Sequence, residues 1–536
     1  MARISTPEHL PGATQFSGDA AVNDPIWLIR TMRQTQWAYA PLREAVASLE
    51  QNWGRRRAPG EWALPYFAFV VSGRVDIQPW HAETSAALWR EAGFNIKPPY
   101  SRVYARFTEL EDLADDFIAC AGRMIQHARR HDSRVGQHVH VDSTEAETHA
   151  GLKHVCCSQH SRRAARPRRV ATADVREERQ AEAAEAPPAH PSANMGAVDA
   201  VRDQRNGRYF KINGHWYRSI DKTAGIRAYT GPRGAVKFWH GYYNQKAIDH
   251  FTGGVLAVDV FSASEQEYHS YPALAQQLET SLGARPQAVV FDRGFSVASV
   301  FEHNTTRGIA TVAPWRKWGT SAGREMADQL THDRHGIPRC KHCGGDSRFV
   351  RFHENGGKPR TWFHCIDEQT TKCLKDQSIS CSVDWRLLVP LWRTDDIYHE
   401  LRASHSQYER GQHHWRQRYL VAGDDRVTRP KRRGLGWQRL RAAAALNCEW
   451  IRILHREGWL GSARTNRHQP ERDDRAGRRN AARLVGFRHK VGLDRPYGPK
   501  AHRLGIGPLQ PPTAPPRRAG SQQANSGSGP PTAASP

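Results

Sequence analysis

Two aspartates stand where short apolar runs end: Asp142 after Val139-His140-Val141, and Asp292 after Ala288-Val289-Val290-Phe291. Taken singly, an Asp at the end of a strand is well explained as an acceptor for turn or cap hydrogen bonds. Taken as a pair meeting at the centre of one sheet, the two offer the hard oxygen ligands that Mg2+ prefers. Two divalent ions about 3.5–4 Å apart activate a hydroxyl and stabilise a leaving oxygen, which phosphodiester chemistry at neutral pH requires. Cysteine forms a second constellation, because five of the nine Cys fall between Cys340 and Cys381. Cys340-Lys-His-Cys343-Gly-Gly is a knuckle whose thiolates can share one zinc, and Cys365, Cys373 and Cys381 follow as further candidates. Four ligands are needed, so one Cys is spare or His364 substitutes. The competing redox reading of C-x-x-C lacks the strand-to-helix turn of a thioredoxin.

The elements that must position these groups alternate in type. Apolar residues at helical spacing predict a mostly helical region from Asp24 to about Arg130, either with a helix-turn-helix around residues 75–104 or as a plain bundle. A strand ends on Asp142. From Ser158 to Gly207 there is no Leu, Ile, Phe, Trp or Tyr, so this stretch is expected to be a disordered insertion. Aromatic and β-branched runs broken by turn residues then predict antiparallel strands from Arg208 to about Ala263. A helix over Glu265–Leu282, the strand ending in Asp292, another helix and the strand Ile309–Ala313 make α/β crossovers. Residues 397–419 and 436–457 read as helices.

A net charge of +24 points to a polyanion, with nucleic acid first. Residues 461–536 hold 14 Lys/Arg against 4 Asp/Glu, so +10 of that excess lies in an expected disordered tail. No run approaches the roughly 18 apolar residues of a membrane span, and the N-terminus has no apolar signal core. A cytoplasmic, nucleoid-associated protein with no membrane partner is expected.

Three segments now carry a resemblance: VHVDSTEAETH from Val139, AIDHFTGGVLAVDVFSASEQE from Ala247, and AVVFDRGFSVASVFEHNTTRGIATVAP from Ala288. Together they resemble the DDE transposases of bacterial insertion sequences, with the D-x-x-T-G hairpin turn and the D-R-G-F block as the specific parts. The likeness runs roughly from Val139 to Leu460, with two interruptions. It implies an RNase H-like core in which Asp142 and Asp292 bind Mg2+ (or Mn2+), and DNA nicking followed by strand transfer without a covalent protein–DNA intermediate. It also implies terminal repeats and target DNA as partners, with a homodimer bridging two element ends. The third acid is sought in the helix TDDIYHELRASHSQYERGQHHWRQRYLVAG, similar to the family's closing segment. There Arg402, Glu409 and Arg416 stand seven residues apart and stack along one face. Glu409 is the expected third ligand. Glu400 is its rival, nine residues away and so on the opposite side of the helix.

Arg402 and Arg416, with Arg432 and Arg433 in the basic run RVTRPKRRGLGWQRLR, are expected to track phosphates. Trp437 either stacks on a base or anchors the next helix. The expected fold class is α/β, an RNase H-like mixed sheet with insertions. Its parts are a helical, DNA-binding region over 1–135, a catalytic core over 136–157 and 208–335, and the insertion 158–207. A zinc-knuckle insertion over 336–385, closing helices over 386–460 and the tail follow. The alternative is a non-catalytic, zinc-dependent DNA-binding protein or a decayed transposase relic.

Overall fold

In the computed structural model, the structure describes residues 24–51, 62–148, 153–155, 198–204, 207–212, 215–230, 236–315, 336–355, 358–380, 385–387, 391, 393, 396–419 and 434–461. Helical periodicity in the first hundred of these becomes seven helices. They are α1 (Pro25–Gln34), α2 (Gln36–Gln51), α3 (Ala63–Val71), α4 (Ile77–Glu83), α5 (Ala86–Glu91), α6 (Tyr100–Glu109) and α7 (Ala114–His131). Local chemistry sets their ends. Asp24, Asp76 and Ser85 accept from backbone N–H groups at the starts of α1, α4 and α5. Asp115 and Asp116 open α7 and Arg129, Arg130 and His131 close it, matching the helix dipole.

After α7 the chain turns at Gly136 (φ 76°), where a Cβ would lie 2.2 Å from the Leu282 side chain. The strands that follow are β1 (His138–Glu147), β2 (Lys153–His154), β3 (Val198–Gln204), β4 (Gly207–Ile212) and β5 (His215–Ser219). Next come β6 (Gly225–Thr230), β7 (Val236–Asp249) and β8 (Val255–Ser262). Then α8 (Glu267–Leu282), β9 (Ala288–Phe291), α9 (Ala298–Thr306) and β10 (Ala310–Val312) complete the main sheet. That sheet has the order β10-β9-β1-β7-β6, with β8 also pairing with β7. β1, β9 and β10 are parallel, whereas β7 is antiparallel to β1, β8 and β6. The expected crossovers are therefore present, and β9 is buried at all four positions, as a central parallel strand must be.

The chain continues through β11 (Ser347–Asn355), β12 (Lys358–Cys365) and β13 (Gln377–Ser380), a small antiparallel sheet, to α10 (Asp396–Tyr419) and α11 (Leu435–Arg456). Each face of the main sheet has its own helical cover. Val139, Val141, Val289 and Phe291 pack into one large core with α3, α7, α8 and α11. On the other face, Ala288, Val290, Ala310 and Val312 meet Ile397, Tyr398 and Leu401 of α10. α11 is buried along most of its length, and some of its polar groups find partners inside. Arg441 donates to the Tyr419 and Arg74 carbonyls, and Asn447 to the Phe117 carbonyl. The amino-terminal helices thus close around the last helix in one shared core rather than standing as a separate lobe.

Two sequence expectations need correction. Val198–Gln204, inside the expected disordered insertion, is a strand paired with β4 in the sheet β2-β5-β4-β3. Backbone pairing, which needs no large apolar side chain, orders it. The strand expected to end on Asp142 runs on to Glu147, held there by its pairing with β7, so this acid lies inside β1. The rest of the insertion, 158–197, and the tail beyond 461 lie outside the described residues. No described helix is long and apolar enough to cross a membrane.

Candidate active site and metal centre

Val141 of β1 pairs with Phe291 of β9 in parallel register, so Asp142 and Asp292 emerge from adjacent strands at one level. Both are half-buried and locally restrained. The Ser143 N–H donates to Asp142 Oδ1 at 2.7 Å. The Gly294 and Phe295 N–H groups donate to Asp292 Oδ1 at 2.8 and 3.3 Å, so the D-R-G-F block folds as a tight turn around its own carboxylate. Turn-capping and proximity to the second acid therefore coexist. Burial pushes the Asp142 carboxyl up to about 7, and the charges of Asp292 and Glu267 push in the same direction against Lys246 and the Ser143 N–H.

Glu267, in the first turn of α8, is an acid the sequence reading missed. Burial raises its pKa, Arg227 lowers it and Asp292 raises it further, and its Oε1 accepts from Arg227 Nη1 at 3.0 Å. Lys246, also missed, is the cross-strand partner of Asp142. Its buried ammonium donates to Thr144 Oγ1 at 3.3 Å and lies 4.6 Å from the Trp415 ring of α10. A lysine among the aromatic and apolar residues of β7 was the available signal.

α10 is seated by ring contacts and hydrogen bonds along one line. Tyr398 donates to the Ala313 carbonyl at 2.7 Å. His140 stacks on Tyr408 with centroids 3.9 Å apart, and its two ring nitrogens lie 3.3 Å from His405 Nδ1 and 3.0 Å from His250 Nδ1. Tyr408 donates to the His250 carbonyl at 2.5 Å. Burial, then the charge of Arg402, lowers His405 to about 4, and burial, then His250, lowers His138 to about 3. His140 and Asp142 share a face of β1, since they are two residues apart. The α10 stretch from His405 to Trp415, which spans Glu409, therefore lies against the strand face bearing Asp142. The Glu409 and Arg416 side chains lie outside the described residues, as do Arg432 and Arg433. Arg402 is half-buried and Glu400 is exposed. Trp437 is fully buried against Tyr66 and Phe69, with ring centroids 5.6 and 6.2 Å away. It anchors α11 and has no face left for a base.

Asp249, of the D-x-x-T-G turn, does structural work instead. Its carboxylate accepts from the Gly136 N–H at 2.8 Å, the Thr252 N–H at 2.8 Å and the Thr252 hydroxyl at 2.7 Å. It thereby pins the β7–β8 hairpin to the entry of β1.

Cys340, Cys343, Cys365 and Cys373 converge, with all four sulfurs within 4.8 Å of one another. Cys340 and Cys373 are 3.7 Å apart, and Cys343 and Cys365 3.4 Å. Sulfurs around a tetrahedral ion with bonds of about 2.3 Å stand about 3.8 Å apart, so the set fits such an ion. The His342 and Gly345 N–H groups each donate to a sulfur at 3.4 Å. His364 is committed elsewhere, 3.0 Å from both Glu368 and Asp376, which raise its pKa. It is not the fourth ligand. Cys381 lies outside the described residues, and Cys120 and Cys448 are buried, each thiol pushed up to about 12 by burial.

Residues 218–447 match the family described as the transposase DDE domain, a span that includes Asp292 and Glu409 and begins after Asp142. Among solved structures, the chain is similar to the cryo-EM structure of a piggyBac transposase synaptic complex with hairpin DNA, at 12% identity and a TM-score of 0.31. That alignment covers 92% of this chain and 87% of the other. No curated protein matches the chain.

Proposed function

We propose, from the DDE transposase domain that the chain carries across residues 218–447, that it nicks DNA at the ends of a mobile element and joins them to a target. The observation that carries this reading is that Asp142, inside β1, and Asp292, the residue after β9, stand at one level on adjacent parallel strands. The strand order β8-β7-β1-β9-β10, with β7 antiparallel and the others parallel to β1, supports an RNase H-like core.

Asp142, Asp292 and Glu409 would hold Mg2+, which when bound polarises the phosphodiester and stabilises the leaving oxygen. In nicking, a water oxygen bonds to phosphorus, the P–O3′ bond breaks and the departing oxygen takes up a proton. In joining, the freed 3′-hydroxyl replaces water, so one phosphodiester is exchanged for another. Asp142, raised by burial and by neighbouring carboxylates, favours cation binding because a cation relieves that repulsion. The Ser143, Gly294 and Phe295 N–H groups keep the two carboxylates aimed. The cysteine set would hold a structural Zn2+. DNA is the partner, contacted by Arg402, Arg416, Arg432 and Arg433, with a homodimer bridging two ends.

Purified protein incubated with Mg2+ and DNA bearing its element ends tests the reading. Nicked or joined products are expected. Binding without any strand breakage would instead identify a non-catalytic DNA-binding protein.

A further inference from the structure

Beside the cysteine cluster, an open cavity of about 610 Å3 is lined by Lys341, His342, Lys372, Lys375, Asp376 and Gln377 among others. Lys341, Lys372 and Lys375 are all exposed, and none forms an ion pair among the described residues. The lining acid is already engaged, since Asp376 Oδ1 lies 3.0 Å from His364 Nδ1. Three lysines therefore line one concavity without an ion-pair partner among the described residues.

The bland explanation is that they neutralise the thiolates. The sulfurs, however, already have their own close donors. These are the His342 and Gly345 N–H groups, the Gln377 amide at 3.0 Å from Cys340 Sγ, and the Thr370 hydroxyl at 3.0 Å from Cys373 Sγ. The Lys341 N–H is likewise fixed, donating to Gln377 Oε1 at 3.1 Å, so the knuckle is tied to the start of β13. A preorganised concavity with three mobile, strongly hydrated cations suits a phosphate, and lysine contacts of this kind carry no base information.

We infer that the cysteine-rich module is a second DNA contact, gripping the phosphate backbone of duplex DNA in this pocket without reading its sequence. The inference rests on the reading that the chain works on DNA and adds a site remote in sequence from the acids. Its test is fluorescence anisotropy of the full-length protein with a random duplex and with an element-end duplex across a salt series. The triple variant Lys341→Gln/Lys372→Gln/Lys375→Gln is compared with the triple Lys→Arg variant, and zinc content is measured in each. Each lost phosphate contact lowers the slope of log affinity on log salt by about 0.9, so a fall of roughly 2–3 is expected on both duplexes. Affinity at low salt drops at least about tenfold, the Arg variant behaves as wild type, and zinc is retained. An unchanged slope in the Gln variant, while wild type still binds and cleaves, overturns the pocket alone. Zinc loss in the Gln variant assigns the lysines to the thiolates and overturns it too. A wild-type protein that binds neither duplex removes the functional reading itself.

Discussion

Asp142 and Asp292 each follow one member of a registered pair, Val141 and Phe291, so the parallel ladder between β1 and β9 brings the two carboxylates to one level. Burial above all raises the Asp142 carboxyl there, and the Asp292 charge pushes the same way. Replacing either with Asn keeps the shape and removes a charged ligand. Asp142→Asn and Asp292→Asn should each lower the cleavage rate by more than about 100-fold, beyond the usual cost of losing an outer partner. Duplex affinity by anisotropy should stay within about twofold. Wild-type cleavage by either variant would remove that acid from the site.

Asp249 has the opposite signature. It is fully buried and its role is to receive backbone and hydroxyl protons from Gly136 and Thr252. Asp249→Asn turns one accepting oxygen into a donor facing those donors. Chemical denaturation should show a loss of about 1–3 kcal/mol, the cost of unsatisfied buried groups. Residual cleavage should track the folded fraction. A variant of wild-type stability that has lost cleavage would move Asp249 into the reacting site.

Cys340, Cys343, Cys365 and Cys373 already supply the four sulfurs a tetrahedral ion needs. Metal analysis should find about one zinc per chain in wild type and in Cys381→Ser, and none when Cys340 and Cys343 are both Ser. A well-folded wild type without zinc, or zinc lost on changing Cys381 alone, would contradict the assignment.

Much of this site was legible because its signals are local. The run Ala288–Phe291 is apolar throughout because a central parallel strand has no solvent face, and the turn after Asp292 is written in the residues that fold around it. β3 was missed because Val-Asp-Ala-Val-Arg-Asp-Gln has few apolar groups to alternate. β11 was missed because its register shifts between Phe349 and Arg351, which breaks the two-residue period. Glu267 and the engagement of His364 depend on contacts between distant segments, which spacing cannot show.

The histidines beneath α10 give the fold a dependence on pH. Burial and Arg402 lower His405 to about 4, whereas the unfolded chain keeps the ordinary value near 6.5. Below 6.5 the unfolded state binds a proton that the folded state refuses. This stabilising contribution is therefore complete above 6.5 and lost progressively as pH falls toward 4. His405→Phe keeps a ring against His140 and removes the titration. Between pH 7 and pH 5, wild type should lose on the order of 2 kcal/mol more than the variant. Equal losses in urea denaturation would show that His405 is protonated in the folded protein.

The third acid is the boldest expectation, and α10 supplies the argument for it. Tyr398, Leu401, His405, Tyr408 and Trp415 face the sheet, with His405 and Tyr408 against His140 and Trp415 over Lys246. Glu409 stands one turn beyond His405 and directly after Tyr408 on α10, and it is proposed as the third acid on that register. Glu400 is exposed. Nine residues, or about 900° of helix rotation, separate the two, so one site cannot use both on a continuous helix. Glu409→Gln should therefore abolish Mg2+-dependent cleavage while keeping duplex affinity. Glu400→Gln should cut at the wild-type rate, with a stability change within about 0.5 kcal/mol, as for other surface substitutions. Cleavage that survives Glu409→Gln and dies with Glu400→Gln would mean that α10 presents its other side to the acids, turned by half a revolution.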